Sequence, residues 1–163
     1  MRFKQLKSED KEACKVFDSL MREYVKELDA HDGGDTSAIL DKWIESIIRM
    51  QGDSDRHLEL CYIGDDLIGF LYEKVDHPEH RGYKKIGYGY IMEFYVKPEY
   101  RRCGYGRTMF ERLQKLFRLD GADRMYLTSD PVTGKPFWES MGFARTGEIS
   151  PENSMEIYEK DIE

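Results

Sequence analysis

The sequence predicts a mixed α/β (α+β) protein of about seven strands and about four helices, in the order β-α-α-β-β-β-α-β-α-β-β. Some stretches carry apolar residues every three or four positions, as amphipathic helices do, and shorter stretches are rich in β-branched and aromatic residues, as strands are. Glycine or proline stands between many of these stretches. Because 163 residues is the length of one domain, we expect a single domain over residues 1–163.

The first third of the chain predicts one strand and two helices. Polar and apolar residues alternate over residues 2–6, and Ser8 stands where an N-cap would open the first helix. The expected apolar stripe of that helix comprises Ala13, Val16, Phe17, Leu20, Tyr24 and Leu28. The second helix opens at Thr36 or Ser37 and ends near Gly52. Its expected inward residues are Ile39, Leu40, Trp43, Ile47 and Ile48.

The rest of the chain predicts six strands and two helices. We expect the strands over residues 58–63, 67–75, 88–97, 125–128, 143–149 and 155–160. The first two flank Gly64-Asp65-Asp66, which is a hairpin signal. A polar loop follows them, from residue 76 to residue 85. We expect one helix that follows the turn at Gly106 and runs to about Leu119, and a short helix over residues 134–141.

Residues 91–107 form the most informative stretch. A β-rich run over residues 91–96 meets Pro98, which cannot continue a central strand. A basic, glycine-rich turn and an amphipathic helix follow at once. The first N–H groups of such a helix have no internal partner, and they point at the turn together with the positive end of the helix dipole. The turn therefore predicts a phosphate or pyrophosphate site built from Arg101, Arg102, Cys103, Gly104, Tyr105, Gly106 and Arg107.

Two common phosphate motifs fit this chain poorly. A P-loop requires Gly-x-x-x-x-Gly-Lys-Ser/Thr, whereas Gly134-Lys135 has Ser129 at the upstream glycine position and Pro136 after the lysine. A dinucleotide fingerprint requires Gly-x-Gly-x-x-Gly after a strand, and Met109 occupies the position of the third glycine. The phosphate therefore belongs to another kind of ligand.

The spacing Arg101-x-x-Gly104-x-Gly106 resembles the coenzyme A loop of the GNAT N-acetyltransferase superfamily, whose consensus is Arg/Gln-x-x-Gly-x-Gly/Ala. A second block over residues 136–143 contains Phe137-Trp138 and ends in Gly-Phe, and it is similar to the family's Phe-Tyr-x-x-x-Gly-Phe. Both blocks occur in the family's order, and the resemblance covers roughly the whole chain. It implies the GNAT fold, in which a mixed, centrally splayed sheet has helices on both faces.

The resemblance also implies how acetyl-CoA, the expected co-substrate, would bind. The backbone of Phe94, Tyr95 and Val96 would pair with the pantetheine arm like an added strand. The N–H groups of residues 102–107 would hold the pyrophosphate. The other expected coenzyme contacts are Ser129, Phe137 and Trp138.

Glu93 lies in an otherwise apolar strand next to the expected position of the thioester. Acyl transfer requires a neutral amine, whereas a free alkylammonium has a pKa of about 10, so a group that takes the proton is needed. Glu93 is therefore the candidate general base, and Asp130 and Glu73 are secondary candidates. The alternative is that Glu93 pairs with a neighbouring strand or faces solvent. Tyr90 is expected to line the same side of the site.

Trp138 departs from the family pattern, which typically has at this position a tyrosine that protonates the departing thiolate. An indole N–H donates a hydrogen bond but is not a usable acid near neutral pH. Tyr126 is a candidate acid, and Tyr95, water or the absence of a dedicated acid are the alternatives. Trp138 itself packs either against the coenzyme or in the core.

The expected function is the transfer of an acetyl group from acetyl-CoA to a primary amine by direct attack in a ternary complex. The alternative is a GNAT-like module that binds or senses acyl-CoA without turnover. The acceptor is a small-molecule or peptide amine, and polyamines, aminoglycosides, amino acids and protein N-termini all stay open.

Composition argues against several other classes. The formal net charge of −7 disfavours nonspecific binding to nucleic acid. No apolar run approaches the roughly 18 residues of a membrane span, and no apolar signal region follows Met1. The 3 cysteines lack metal-like spacing, and His77 and His80 are more typical of a polar loop than of a ligand set. We therefore expect a cytoplasmic monomer or homodimer with no metal, nucleic-acid or membrane partner.

Overall fold

The computed structural model describes residues 1–53 and 56–163, and over these residues it has seven strands and four α-helices. The strands are β1 (Arg2–Gln5), β2 (Arg56–Ile63), β3 (Asp66–Val75), β4 (Gly89–Val96), β5 (Arg124–Thr128), β6 (Ala144–Ile149) and β7 (Glu156–Asp161). The α-helices are α1 (Lys11–Asp32), α2 (Ser37–Arg49), α3 (Tyr105–Leu119) and α4 (Gly134–Ser140). Short 3-10 turns cover Met50–Gly52 and Pro98–Tyr100.

All seven strands belong to one mixed sheet in the order β1-β2-β3-β4-β5-β7-β6. β1 runs antiparallel to β2, and β7 runs antiparallel to both β5 and β6. β4 and β5 are parallel, and Gly89 pairs with Met125 and Tyr90 with Tyr126 near the start of both strands. The mixed sheet and the four helices confirm the predicted fold class.

The chain divides into two compact units that alternate along the sequence. The first unit comprises Met1–Tyr72 and Phe94–Gly106, and the second comprises Glu73–Glu93 and Arg107–Glu163. The single domain expected from chain length stays a prediction.

In the first unit, α1 packs its apolar face against β3. The ring of Phe17 meets the ring of Phe70 edge-on, with 5.3 Å between centroids. The buried residues of α1 are Ala13, Phe17, Leu20, Met21 and Val25. The helix begins later than predicted: the N-cap is Asp10, whose carboxylate accepts the N–H of Ala13 at 3.0 Å. The prediction of Ser8 as the cap was wrong because residues 7–10 form a turn, closed by a hydrogen bond from the Asp10 N–H to the Lys7 carbonyl.

The apolar stripe of α2 differs from the prediction at Ile39, which is exposed, and at Ile44, which is buried but was not predicted to be. Leu40, Ile44 and Ile47 are buried, at spacings of four and three residues. Ile39 precedes this stripe by one residue and is 60% exposed, so its predicted inward orientation was wrong.

Gly69 allows β3 to lie against the end of β4 in the first unit. A Cβ on Gly69 would overlap the carbonyl oxygen of Tyr95, so no larger residue fits there. Beside this contact, the N–H of Lys97 donates a hydrogen bond to the carbonyl of Ile68, the residue before Gly69, at 2.8 Å. The last residues of β4 are therefore fixed on their β3 side.

In the second unit, α3 supplies the largest apolar face. Its buried residues are Met109, Phe110, Leu113, Leu116 and Phe117, at the three- and four-residue spacing of one helical face. The ring of Phe110 lies 5.9 Å from Phe143 and 6.1 Å from Trp138. Gly121, with a φ of 84°, follows the helix in the left-handed conformation that terminates helices. Within the described ranges, no helix combines the length and apolarity that a membrane span requires.

Candidate active site

The predicted phosphate loop connects the end of β4 to the start of α3. After Val96 the chain makes the 3-10 turn Pro98–Tyr100, and α3 begins at Tyr105. Proline sits at the first position of that turn, where its missing N–H costs nothing. The strand, loop and helix therefore occur as the sequence predicts.

The loop backbone takes the left-handed conformation twice within three residues. Arg102 has a φ of 63° and Gly104 a φ of 85°. Residues in this conformation turn successive N–H groups toward one side, which is the geometry of anion-binding nests. Among the described residues, no atom beyond the chain neighbours of Gly104 lies within 4 Å of a Cβ built on it, and Arg102, Cys103 and Gly104 are all exposed. The space beside the loop is open to a ligand.

Arg101 does not extend into that space. Its Nε donates to the carbonyl oxygen of Val96 at 2.8 Å, and its Nη2 lies 2.7 Å from Oε2 of Glu27 on α1. The guanidinium carbon lies 5.7 Å from the centroid of the Tyr95 ring. The side chain thus ties the start of the loop to the end of β4 and to α1. Arg102 and Arg107 are exposed and present the loop's positive charge to solvent.

Tyr95 faces the core of the first unit. Its side chain is 4% exposed, and its ring centroid lies 5.2 Å from Tyr24 and 6.2 Å from Phe70. Burial, with the nearby charge of Glu27, raises the pKa of Tyr95 to about 12. Its neighbours Phe94 and Val96 are half-buried. A phenol in this setting supplies packing, so Tyr95 has only its backbone to offer a ligand.

Glu93 and Tyr90 lie on β4 in the second unit, and Glu93 directly precedes Phe94 in the chain. Both residues are half-buried. Burial and the negative charge of Glu93 raise the pKa of Tyr90 to about 12. The ring of Tyr90 stacks on the ring of Tyr126, with centroids 4.7 Å apart and planes 9° apart. The phenol therefore stays protonated at neutral pH.

The hydroxyl of Tyr126, the candidate acid, is hydrogen-bonded to a buried carboxylate. Its side chain is 1% exposed, and its hydroxyl donates to Oδ2 of Asp76. Burial and this hydrogen bond raise the pKa of Tyr126 far above its usual range. Asp76 is fully buried, accepts the N–H of Lys85 at 2.9 Å, and lies 3.1 Å from Nζ of Lys74. A phenol that donates to a buried carboxylate holds its proton tightly, which disfavours release to a substrate.

Asp76 was missed by sequence reasoning, which assigned it to the start of a polar loop. An aspartate just after a strand is typical of a surface turn, and nothing in its local pattern marks it as buried. Of its partners, Lys74 and Lys85 are near in sequence, whereas Tyr126 lies 50 residues further along the chain. The contact that would identify it is therefore tertiary.

The side chain of Asp130 holds together the turn that precedes α4. Its carboxylate accepts N–H groups from Val132 at 3.1 Å, Thr133 at 2.8 Å and Gly134 at 2.9 Å. Burial alone would raise the pKa of Asp130, but these hydrogen bonds lower it to about 2. The hydroxyl of the buried Ser129 donates to the carbonyl of Asp130 at 3.1 Å. Both side chains therefore hold the turn together, and a coenzyme contact by Ser129 stays a prediction.

Trp138 lies in an aromatic cluster of the second unit. It is 6% exposed, and its ring meets Phe137 at 4.9 Å, Phe143 at 5.3 Å and Phe110 at 6.1 Å, each near edge-on. Phe137, its neighbour on α4, is half-buried. Of the two alternatives for Trp138, this geometry favours core packing.

Comparison with known proteins identifies the family. The model of the acetyltransferase (GNAT) family matches residues 15–143. A search of curated proteins finds no match.

Three solved structures illustrate the likeness in fold. The PaiA N-acetyltransferase of Thermoplasma acidophilum, solved with coenzyme A, is 22% identical with a TM-score of 0.73, and the alignment covers 98% of each chain. An acetyltransferase of Thermus thermophilus is 17% identical with a TM-score of 0.71, covering 99% of this chain and 97% of the other. An aminoglycoside 6′-N-acetyltransferase, also solved with coenzyme A, is 15% identical with a TM-score of 0.70, covering 100% and 98%. At these identities the likeness establishes the fold.

Proposed function

This chain belongs to the GNAT acetyltransferase family, and from that premise we propose that it transfers an acetyl group from acetyl-CoA to a primary amine by direct attack in a ternary complex. The observation that carries the proposal is the loop between β4 and α3. Its left-handed residues Arg102 and Gly104, with open space beside Gly104, suit a backbone cradle for the coenzyme pyrophosphate.

The coenzyme would lie along residues 94–96 and the loop. Arg102 and Arg107 would attract its phosphates, since both are exposed cations at the start of α3. Arg101 would act indirectly by holding the loop in shape through Val96 and Glu27. Two solved acetyltransferases of the same fold contain coenzyme A, which supports this assignment.

Glu93 would serve as the general base. It takes one proton from the acceptor ammonium and later returns it to water. The neutral amine then attacks the thioester carbonyl: a nitrogen–carbon bond forms, the carbon–sulfur bond breaks, and one remaining nitrogen-bound proton ends on the sulfur. Peptide continuity keeps Glu93 beside Phe94, the first residue proposed to contact the pantetheine arm.

The acceptor would be a small-molecule amine. Aminoglycoside acetyltransferases share the fold over nearly their whole length, which supports this class. The net charge of −7 favours a cationic acceptor over an anionic one, because long-range attraction raises the local concentration of cations.

A thiol-release assay with an amine panel tests the proposal. The full chain is incubated with acetyl-CoA and, in turn, a monoamine, a polyamine, an aminoglycoside, an amino acid and a short peptide with a free N-terminus. We expect thiol release with at least one amine, and mass spectrometry should find that amine acetylated. Rates measured over both substrate concentrations should give intersecting reciprocal plots. Parallel plots with an acetylated enzyme would contradict direct attack, and no product from any amine would contradict the function.

A further inference from the structure

Glu27, in the second half of α1, is bonded to the residue that opens the loop after β4. Its Oε2 lies 2.7 Å from Nη2 of Arg101, as a hydrogen bond and an ion pair. Its other oxygen, Oε1, lies 3.9 Å from Nε2 of His31, one turn further along the same helix. The side chains of Arg101 and Glu27 are only 29% and 20% exposed. Because water reaches this pair only in part, the contact is stronger than an ion pair on an open surface.

The guanidinium of Arg101 links this contact to the end of β4. Its Nε donates to the carbonyl oxygen of Val96 at 2.8 Å while its Nη2 holds Glu27. A guanidinium is planar and its donors have fixed directions, so the contact with Glu27 sets the angle at which Nε meets Val96. The guanidinium also lies 5.7 Å from the ring of Tyr95, which lies 5.2 Å from the ring of Tyr24 on α1. α1 therefore holds both the end of the strand and the first residue of the loop.

The carbonyl of Val96 points away from β3. It belongs to the same planar trans peptide as the N–H of Lys97, so the two groups point in opposite directions. That N–H donates to the carbonyl of Ile68 on β3 at 2.8 Å. Arg101 therefore contacts the backbone of β4 on the side where an added strand, such as a pantetheine arm, would pair.

The turn after Arg101 has a conformation that its sequence does not favour. Arg102 has a φ of 63°, in the left-handed region that residues other than glycine rarely adopt. Such a residue keeps this conformation only where the surrounding contacts hold it. Arg102 is itself exposed, whereas Arg101 beside it is fixed by Val96 and Glu27. The contacts of Arg101 therefore help to hold the turn whose N–H groups suit an anion.

We infer that Glu27 is a positioning residue for coenzyme binding, which acts through Arg101 and keeps the loop in its anion-binding shape. This role rests on the proposed function, in which the loop holds the coenzyme pyrophosphate. Removing a carboxylate near an anion site should tighten binding by charge alone, because coenzyme A is itself an anion. Loss of the Arg101 contact should instead weaken binding, so the two effects differ in sign.

Calorimetry of coenzyme A binding to the full chain tests the inference. Glu27→Gln, which keeps the size of the side chain and removes the ion pair, should raise Kd roughly fivefold. Glu27→Asp keeps the charge but is one methylene shorter, and it should raise Kd about threefold. Glu23→Gln is the matched control, because it removes the same charge from an exposed position four residues earlier on α1. Its Kd should stay within about twofold of the parent's.

Salt and a double variant separate position from charge. Salt screens the long-range repulsion between Glu27 and the coenzyme but acts little on a partly buried contact. The loss in Glu27→Gln should therefore not shrink at high salt. If Glu27 acts through Arg101, adding Glu27→Gln to Arg101→Ala should cause no further loss of affinity.

Urea unfolding establishes which variants are folded, and either folded variant of Glu27 decides the outcome. Affinity equal to or tighter than the parent's in that variant, or losses that multiply in the double variant, would overturn the inference and leave the proposed function standing. A parent that binds coenzyme A but acetylates no amine in the panel would instead overturn the proposed function. A parent that binds no coenzyme A would overturn both.

Discussion

The guanidinium of Arg101 folds back onto the strand that precedes it, and its Nε donates to the carbonyl oxygen of Val96 at 2.8 Å. The same side chain reaches Glu27 on α1, so one residue joins the end of β4, the start of the loop and the first helix. Arg101, which occupies the arginine position of the loop consensus, therefore makes contacts within the protein that hold the loop in place. The charge that faces solvent belongs to Arg102 and Arg107.

Arg101→Ala should weaken coenzyme A binding by about 1–2 kcal/mol, because the loop loses two hydrogen bonds that hold it in shape. Since these bonds are internal and partly buried, the loss should change little between low and high salt. Arg102→Ala is the matched control, and its loss should shrink as salt screens the exposed charge. Isothermal calorimetry at two salt concentrations measures both. A salt-sensitive loss for Arg101→Ala equal to that of Arg102→Ala would show that the Arg101 side chain contacts the phosphates.

Gly104→Val should abolish coenzyme A binding while the protein still folds. The residue has a φ of 85°, so a β-branched side chain strains the backbone by roughly 1–2 kcal/mol and also fills the space where the ligand approaches. Gly33→Val is the matched control, because Gly33 has a φ of 72°, has similarly open space around a Cβ, and lies at the end of α1. Both variants should lose similar stability, and only Gly104→Val should lose binding. Retained affinity in folded Gly104→Val would contradict the loop assignment.

Glu93→Gln should lower turnover by roughly 10²-fold or more with little change in coenzyme affinity, because only proton removal is lost. The parent's rate should rise with pH through the apparent pKa of the base or the bound amine, and the variant should depend more steeply on high pH. Trp138→Phe should cost about 1–2 kcal/mol of stability through lost packing and much less turnover. Profiles of rate against pH measure the effects on turnover, and denaturant unfolding measures the loss of stability. An equally deep turnover defect in Trp138→Phe would mean that the chemistry is assigned to the wrong residue.

Asp130 should make the stability of the protein depend on pH in acid. Its pKa in the folded protein, about 2, lies below the ordinary aspartate value of 3.8, so the stabilisation is present above pH 4 and is lost as pH falls toward 2. Because the side chain is partly exposed to solvent, we expect a contribution of about 1–2 kcal/mol. Asp130→Asn should lose this amount at pH 7 and flatten the curve of unfolding free energy between pH 4 and 2. An unchanged curve in urea unfolding would contradict this account.

The order of elements could be predicted from sequence because it depends on local patterns. The buried positions Ala13, Phe17 and Leu20 of α1 and the hairpin at Gly64 each follow from spacing or backbone preference within a few residues. The cap of α1 shows where such patterns fail: Ser8 and Asp10 are both good caps, and the choice depended on the turn at Lys7.

The side-chain directions at the candidate site could not be predicted in the same way. Arg101 has a sequence position that suits a phosphate ligand, yet its partners Val96 and Glu27 are fixed only by the fold. Asp76 carries no local signal, since its role depends on Tyr126, which is distant in sequence. Long-range contacts decide these assignments.

Counting free coenzyme thiol and acetylated amine in the same reaction measures acetyl transfer directly, for the parent and for a Glu93→Gln variant whose coenzyme affinity equals the parent's. We expect one thiol for each acetylated amine in the parent, and a rate roughly 10²-fold lower in Glu93→Gln. Tight coenzyme A binding by the parent without acetylation of any amine in the panel would contradict it.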